Sequence, residues 1–323
     1  MIQANEDGRV VILGTGGTIA GRATQTGDNV GYVAAQVSVG ALVDAVPLLQ
    51  DLSLDVEQVA QVDSKDMDLS VWQALASQLA AHLARPEVRA VVVTHGTDTI
   101  EETAFVLQML LAPRKPVVLT CAMRPSSALV PDGPQNLSDA VALACDGSLA
   151  GVTMVCAGMV HAARDVAKVH TYRLDAFDSG DEGPLAAVEE GRIRLFRVPA
   201  LGQPLHDGGL LASFLAATAL PRVELVFSHA DADGGLVRAL LAQADGDRPL
   251  RGIVVAGTGN GTVHKDLVAA LEAARGQGVR VCLTSRCARG HVVTHPGLSF
   301  DEVSDLSPVK ARLALALELL GSG

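Results

Sequence analysis

Val10-Val11-Ile12-Leu13-Gly14-Thr15-Gly16-Gly17-Thr18-Ile19-Ala20-Gly21 is an aliphatic run that breaks into a glycine-rich turn carrying threonine. Val91-Val92-Val93-Thr94-His95-Gly96-Thr97-Asp98-Thr99 repeats the arrangement farther along the chain. A short, unbroken aliphatic run bounded by glycine reads as a strand buried on both faces, the kind that builds parallel sheets. In open α/β sheets ligands bind at the carboxyl ends of such strands. Two hydroxyls delivered there on glycine turns point to nucleophilic chemistry.

Outward from these two stretches the same alternation continues. Further strands are expected at residues 116–121, 151–157, 223–228, 252–256 and 279–284, with the first two covering 9–14 and 90–95. Helical spacing marks residues 38–46, 66–84, 99–112, 135–146, 233–244, 264–276 and 308–320. Ser38, Asp66 or Asp68, and Ser307 before Pro308 are suited to cap three of them. Strand–helix alternation of this kind predicts an α/β fold with a parallel sheet covered on both faces. Residues 197–222 carry three prolines and break the pattern. The stretch 201–221 therefore reads as a linker between a larger N-terminal domain, 1–200, and a smaller C-terminal α/β domain, 222–323.

Composition sets the outer limits. The chain has 323 residues, 49% of them hydrophobic but only 3% aromatic, so its core is built mainly of Ala, Val and Leu. Mean hydropathy is +0.31. A net charge of -11 argues against a nucleic-acid partner. No apolar run approaches the roughly 18 residues of a membrane span. The polar N-terminus lacks a basic and apolar leader, and the five cysteines sit mostly in apolar stretches, which favours a reduced, cytoplasmic protein.

Several chemistries fail on spacing. From Gly14, the third position of a dinucleotide fingerprint falls on Ile19, and no Gly-Lys-Ser/Thr follows to make a phosphate loop. No serine elbow of the G-x-S-x-G type is present. Cys282, Cys287, His291 and His295 stand in metal-ligand order, but Cys282 lies in a strand pattern and the Cys-to-His gap is too short, so no metal and no cofactor are expected. The first turn remains either a plain tight turn or a hydroxyl at Thr15 whose glycine neighbours admit a substrate carbonyl and leave N–H donors for an oxyanion. Asp98 in the second turn is suited to cap the helix that follows. The charged segment Arg164-Asp165-Val166-Ala167-Lys168 is either a solvated cluster or the source of a lysine able to deprotonate a threonine.

These segments, with Asp63-Ser64-Lys65-Asp66-Met67, Ala122-Met123-Arg124-Pro125-Ser126, Asp132-Gly133-Pro134-Gln135-Asn136-Leu137 and Gly257-Thr258-Gly259-Asn260-Gly261, resemble the bacterial-type L-asparaginases of the asparaginase/glutaminase family. The landmarks run in family order over most of the chain. The resemblance implies a flavodoxin/Rossmann-like N-terminal domain and hydrolysis of L-asparagine, a small-molecule substrate, to L-aspartate and ammonia. It implies Thr15 as nucleophile and Tyr32, on a lid, as its orienting partner. Thr97, Lys168 and Asp98 would form a second catalytic group. Ser64 would bind the α-carboxylate, Asp98 the α-ammonium, and Asn260 would reach across a subunit contact in a homotetramer. An Asp98–Lys168 ion pair favours the charged ammonium, whereas a base must be neutral, so either role for Lys168 stands. Lys65 departs from the family pattern, where an amide is common, and is expected to alter affinity and the Asn/Gln preference. Residues 286–306 match poorly. Within the same chemistry, a glutaminase-asparaginase or an amidotransferase subunit remains. Outside it stands a non-catalytic amino-acid-binding module.

Overall fold

The aliphatic runs become strands because both of their faces are covered by helices. The computed structural model describes residues 8–25, 27–198, 209–243 and 248–322. Residues 199–208, which include the first part of the expected linker, and Ala244 at the end of an expected helix lie outside the described residues. The chain divides into two compact units, Met1–Pro204 and Leu205–Gly323.

In the first unit β1 (Arg9–Gly16) leads to a two-stranded hairpin, β2 (Arg22–Ala23) and β3 (Tyr32–Val33), and then to α1 (Val39–Asp44). β4 (Leu54–Val62), α2 (Leu69–Ala84), β5 (Val88–Thr94), α3 (Ile100–Leu111), β6 (Pro116–Thr120), α4 (Gly133–Asp146) and β7 (Gly151–Cys156) follow. Short strands β8 (Met159–Ala162), β9 (Ala167–Lys168), β10 (Phe177–Asp178), β11 (Ala186–Glu189) and β12 (Arg192–Leu195) complete it. The sheet runs β12-β11-β8-β7-β6-β5-β1-β4. Pairing is parallel from β4 to β7 and antiparallel through β8, β11 and β12, so the expected parallel sheet is extended by a mixed edge. β1 takes β4 on one side and β5 on the other, so the strand order reverses there. Ligands lodge at such a reversal, beyond the carboxyl ends of the strands. Both threonine turns emerge at that point.

The second unit contains α5 (Gly209–Ala216), β13 (Arg222–Phe227), α6 (Gly235–Leu241), β14 (Leu250–Gly257), α7 (Lys265–Gly276), β15 (Arg280–Ser285) and α8 (Pro308–Gly321). Its three strands pair in parallel, in the order β13-β14-β15. Ile253, Val255 and Leu283 pack with Leu267 and Leu271, while Val254 and Cys282 pack with Ala311 and Leu315. α5 falls inside the stretch read as a linker; Leu210 and Phe214 are buried, and the helix packs on α8.

The two turns meet through backbone. Gly17 has φ +82, and a Cβ built on it would lie 2.2 Å from the Cα of Gly96. A Cβ on Gly96 would lie 2.4 Å from Ser64 Oγ. Side chains are thus excluded where the turns touch. The second turn is braced from below by a buried chain of polar groups. Trp72 Nε1 donates to Thr103 Oγ1 at 2.9 Å, and Thr103 Oγ1 lies 2.9 Å from His95 Nε2. His95 Nδ1 lies 2.8 Å from the Gly96 carbonyl. One consistent proton assignment has Thr103 donating to Nε2 and Nδ1–H donating to Gly96, with a neutral ring. Burial lowers the His95 pKa to about 4, against a smaller opposing effect of the Gly96 hydrogen bond.

Replacing Gly17 by alanine tests the turn contact against Gly27, which is also left-handed (φ +86) but faces open space among the described residues. Gly27→Ala is expected to lose about 1–2 kcal/mol in denaturant unfolding, the cost of the left-handed backbone. Gly17→Ala must lose more, because a backbone atom cannot swing aside; equal losses would contradict the packing.

Acid unfolding tests the brace. His95 titrates near 6.5 when unfolded and about 4 in the fold, so between those values the unfolded chain binds more protons and stability falls as pH falls. Asp139 acts with the opposite sign: burial pushes it from 3.8 to about 6, so over that window its contribution falls as pH rises. Each slope is about 1.4 kcal/mol per pH unit, and the two offset between pH 4 and 6. Asp139→Asn is expected to steepen acid loss of stability there, and His95→Asn to flatten or reverse it. Unchanged slopes in both variants would contradict the assignment.

Candidate active site

Thr15 sits where the β1–β4 register slips, between Gly14 and Gly16. Such an irregularity re-aims a side chain at the end of a strand. Thr15 is buried, and its Oγ1 donates to the Thr94 carbonyl at 3.0 Å, which ties the first turn to the end of β5. Gln58 on β4 holds the same strand end: its Nε2 donates to the Gly14 carbonyl at 3.0 Å, and its Oε1 accepts from Val39 N at 2.8 Å.

Asp98 does not cap α3. The cap position is Thr99, whose Oγ1 donates instead to the Ser64 carbonyl at 2.7 Å. Asp98 is left to meet Lys168: Nζ lies 2.6 Å from Asp98 Oδ1 and 2.8 Å from Thr97 Oγ1. Thr97 is buried and Asp98 is half exposed, so one carboxylate face remains open to solvent. Lys168 reaches the turn from β9 because its backbone N–H donates to Glu101 Oε2, on the first turn of α3, at 2.6 Å. The charged segment is therefore not a solvated run. Asp165 pairs with Arg197 at 2.9 Å, and the Lys168 side chain is only 19% exposed.

Ser64 is buried and lies in a one-turn helix, Ser64–Asp66, capped by the Asp63 side chain. Its Oγ accepts from Asp98 N at 3.3 Å. The neighbouring Lys65 is exposed and lies 3.3 Å from Asp63 and 2.5 Å from Asp66. Asp66, then Asp63, hold its ammonium above the usual lysine range.

Tyr32 is half-buried on β3. Its hydroxyl lies 2.7 Å from Thr18 Oγ1, not on Thr15. Burial raises its pKa, the Thr18 hydrogen bond opposes this, and the charges of Asp98 and Asp63 add to the rise. The phenol is therefore protonated at neutral pH.

Asn260 lies in the second unit, in the loop after β14. Both ends of its amide are taken by one residue: Nδ2 donates to the Val293 carbonyl at 3.0 Å, and Val293 N donates to Oδ1 at 2.7 Å. Glu302 pairs with Arg280 at 2.6 Å, and Arg280 also meets Glu318 at 3.0 Å. Among the described residues no group of three or more His, Cys, Asp or Glu is arranged to hold a metal.

Thr15, Ser64, Thr97, Asp98 and Lys168 are thus joined in the first unit through Thr94, Gly17 and Gly96. Sequence reasoning missed Thr18, Glu101 and the Trp72–Thr103–His95 chain. Only their spacing onto α2, α3 and the first turn could have signalled them, and that spacing is also what plain packing produces.

Comparison with known proteins identifies the family. The N-terminal asparaginase family profile matches residues 9–201, and the glutaminase/asparaginase C-terminal profile matches 222–322. The chain is 37% identical over 319 residues to L-asparaginase 2 of Escherichia coli strain K12, covering 96% of this chain and 88% of that one. It is equally 37% identical to a glutaminase-asparaginase of Acinetobacter glutaminasificans, covering 96% and 94%. The crystal structure of a probable cytoplasmic L-asparaginase from Campylobacter jejuni superposes with a TM-score of 0.87 at 36% identity, over 97% of this chain and 95% of that one. Two matching family domains, at this identity over nearly the full length, place the chain in the asparaginase/glutaminase family.

Proposed function

We propose that this protein hydrolyses L-asparagine to L-aspartate and ammonia, with Thr15 as the nucleophile. The observation that carries the reading is the Thr97–Lys168–Asp98 cluster, set on a turn that abuts the Thr15 turn at the reversal of the strand order. Thr15 Oγ1 attacks the side-chain amide carbon, its hydroxyl proton passes to the amide nitrogen, and the C–N bond breaks to release ammonia and leave a β-aspartyl ester on Thr15. Backbone N–H groups of the two glycine turns stabilise the oxyanion. A water held at Thr97 then attacks the β-aspartyl ester and regenerates the hydroxyl.

In this reading Lys168 rests as an ammonium between Asp98 and Thr97. It acts first as a fixed charge that polarises Thr97 and the attacking water. The open face of Asp98 receives the substrate ammonium, and Ser64 receives its carboxylate. Tyr32 acts as a neutral phenol that orients the first turn. Asn260 contributes by bracing Val293.

We also propose a cytoplasmic homotetramer. Five free thiols and the likeness to a probable cytoplasmic enzyme support the compartment, and family membership supports the assembly. A sedimentation mass of one chain at micromolar concentration would contradict the assembly.

Ammonia release from L-asparagine tests the activity. Thr15→Ala is expected to abolish release, by at least about a thousandfold, while leaving the unfolding transition in place. Full activity in that variant would overturn the nucleophile. Absence of release by well-folded wild type at pH 6 to 9 would favour an amino-acid-binding module.

The equal likeness to a glutaminase-asparaginase makes substrate preference a separate question. Lys65 is clamped beside Ser64 by two carboxylates, which lends a net negative rim to the site. Lys65→Gln is expected to shift the ratio of kcat/KM for L-asparagine and L-glutamine by several-fold, about 1 kcal/mol. Identical kinetics for both amides would remove Lys65 from the specificity account.

A further inference from the structure

The first turn carries a second threonine to which the proposed chemistry gives no task. Thr18 opens the one-turn helix Thr18–Ala20, three residues past Thr15, and is buried. Its hydroxyl is the partner of Tyr32 at 2.7 Å. The residue before it, Gly17, is the one packed on Gly96. A continuous path therefore runs from Tyr32 through Thr18, Gly17 and Gly96 to Thr97.

The hairpin that bears Tyr32 does little to fix it. β2 and β3 pair over two residues each, Arg22 with Val33 and Ala23 with Tyr32. Val30 and Val33 are 75% and 58% exposed, so the hairpin buries little apolar surface of its own. Segments with such thin packing open locally at low cost. The Tyr32 ring lies against Gly21, where an added Cβ would come within 2.8 Å of Cδ2. That contact limits the ring's approach, and the hydroxyl bond to Thr18 sets its end point.

We propose that Thr18 is a positioning residue: its hydroxyl registers the Tyr32 phenol to the Gly17–Gly96 contact, and turnover at Thr15 depends on Thr18 through Tyr32. The proposal rests on the amide-hydrolase reading. Because burial and the carboxylates of Asp98 and Asp63 keep the phenol protonated, the Thr18–Tyr32 contact is a neutral hydrogen bond at working pH. A threonine that merely satisfied a buried phenol would contribute to stability and leave turnover alone.

A double-mutant cycle on the full-length protein separates the two. Thr18→Val keeps the shape and removes the hydroxyl, Thr18→Ser keeps the hydroxyl, and Tyr32→Phe removes the other partner. Thr18→Val and Tyr32→Phe are each expected to lower kcat/KM for L-asparagine about tenfold, the double variant to be no worse than the weaker single, and Thr18→Ser to recover to within about threefold of wild type. A Thr18→Val enzyme within about twofold of wild type, or losses that multiply in the double variant, would overturn the proposal. Amide hydrogen exchange at residues 27–33 gives a readout that needs no turnover: it should quicken equally in Thr18→Val and Tyr32→Phe, and not in Thr18→Ser. If wild type released no ammonia, the hydrolase reading would fail on that result alone; exchange in Thr18→Val equal to wild type would overturn the anchoring of Tyr32 by itself.

Discussion

The contact between Gly17 and Gly96 is the constraint on which the rest of the site depends. It lies where β1 and β5, adjacent in the sheet, release their turns on the two sides of the strand-order reversal. Two turns with side chains there would be held apart by at least one Cβ layer. With glycine in both, Thr15 on one turn and Thr97 on the other share a single rigid frame. Ser64 closes the frame from a third segment, since its hydroxyl fills the space that a side chain on Gly96 would need. The Trp72–Thr103–His95 chain supports the Gly96 carbonyl from the core side.

Charge is organised around that frame, not spread over it. Lys168 is drawn to the second turn by a side chain, Asp98, and by a backbone bond to Glu101 on the helix that the turn begins. Glu101 therefore does more than favour a helix N-terminus. It delivers the strand bearing Lys168 to the turn. Lys65 belongs to a different arrangement, an exposed clamp between Asp63 and Asp66. Exposed pairs of this kind add little stability. Its place beside Ser64 is the basis for proposing that it bears on substrate preference and not on the reaction itself.

Much of the fold was legible because β1, β5, β6 and β7 are buried on both faces and so read as unbroken aliphatic runs. β4 was not, because it is an edge strand with Asp55, Glu57, Gln58 and Gln61 along it. β8 to β12 are two to four residues long, too short to show a period. α5 was hidden by prolines and glycines on either side of a short apolar segment. In the site, Thr15, Thr97, Asp98 and Lys168 were legible from their motifs. Capping was the simpler reading of Asp98 taken alone, and only the structure assigns that position to Thr99. Tyr32 was expected on Thr15 and is found on Thr18, a difference of three residues along the first turn that no spacing rule could resolve. The Asn260 contact with Val293 joins residues 33 apart through a loop with no period at all.

The central claim is that Thr15, and not another hydroxyl of the two turns, carries the acyl group. Rapid acid quench of the enzyme during turnover of L-asparagine, followed by peptide mass analysis, tests it directly. The account predicts an added aspartyl residue on the peptide containing Thr15, at Thr15 itself. An adduct on Thr18 or Thr97, or turnover with no adduct under conditions in which hydrolysis of the ester is slowed, would contradict it.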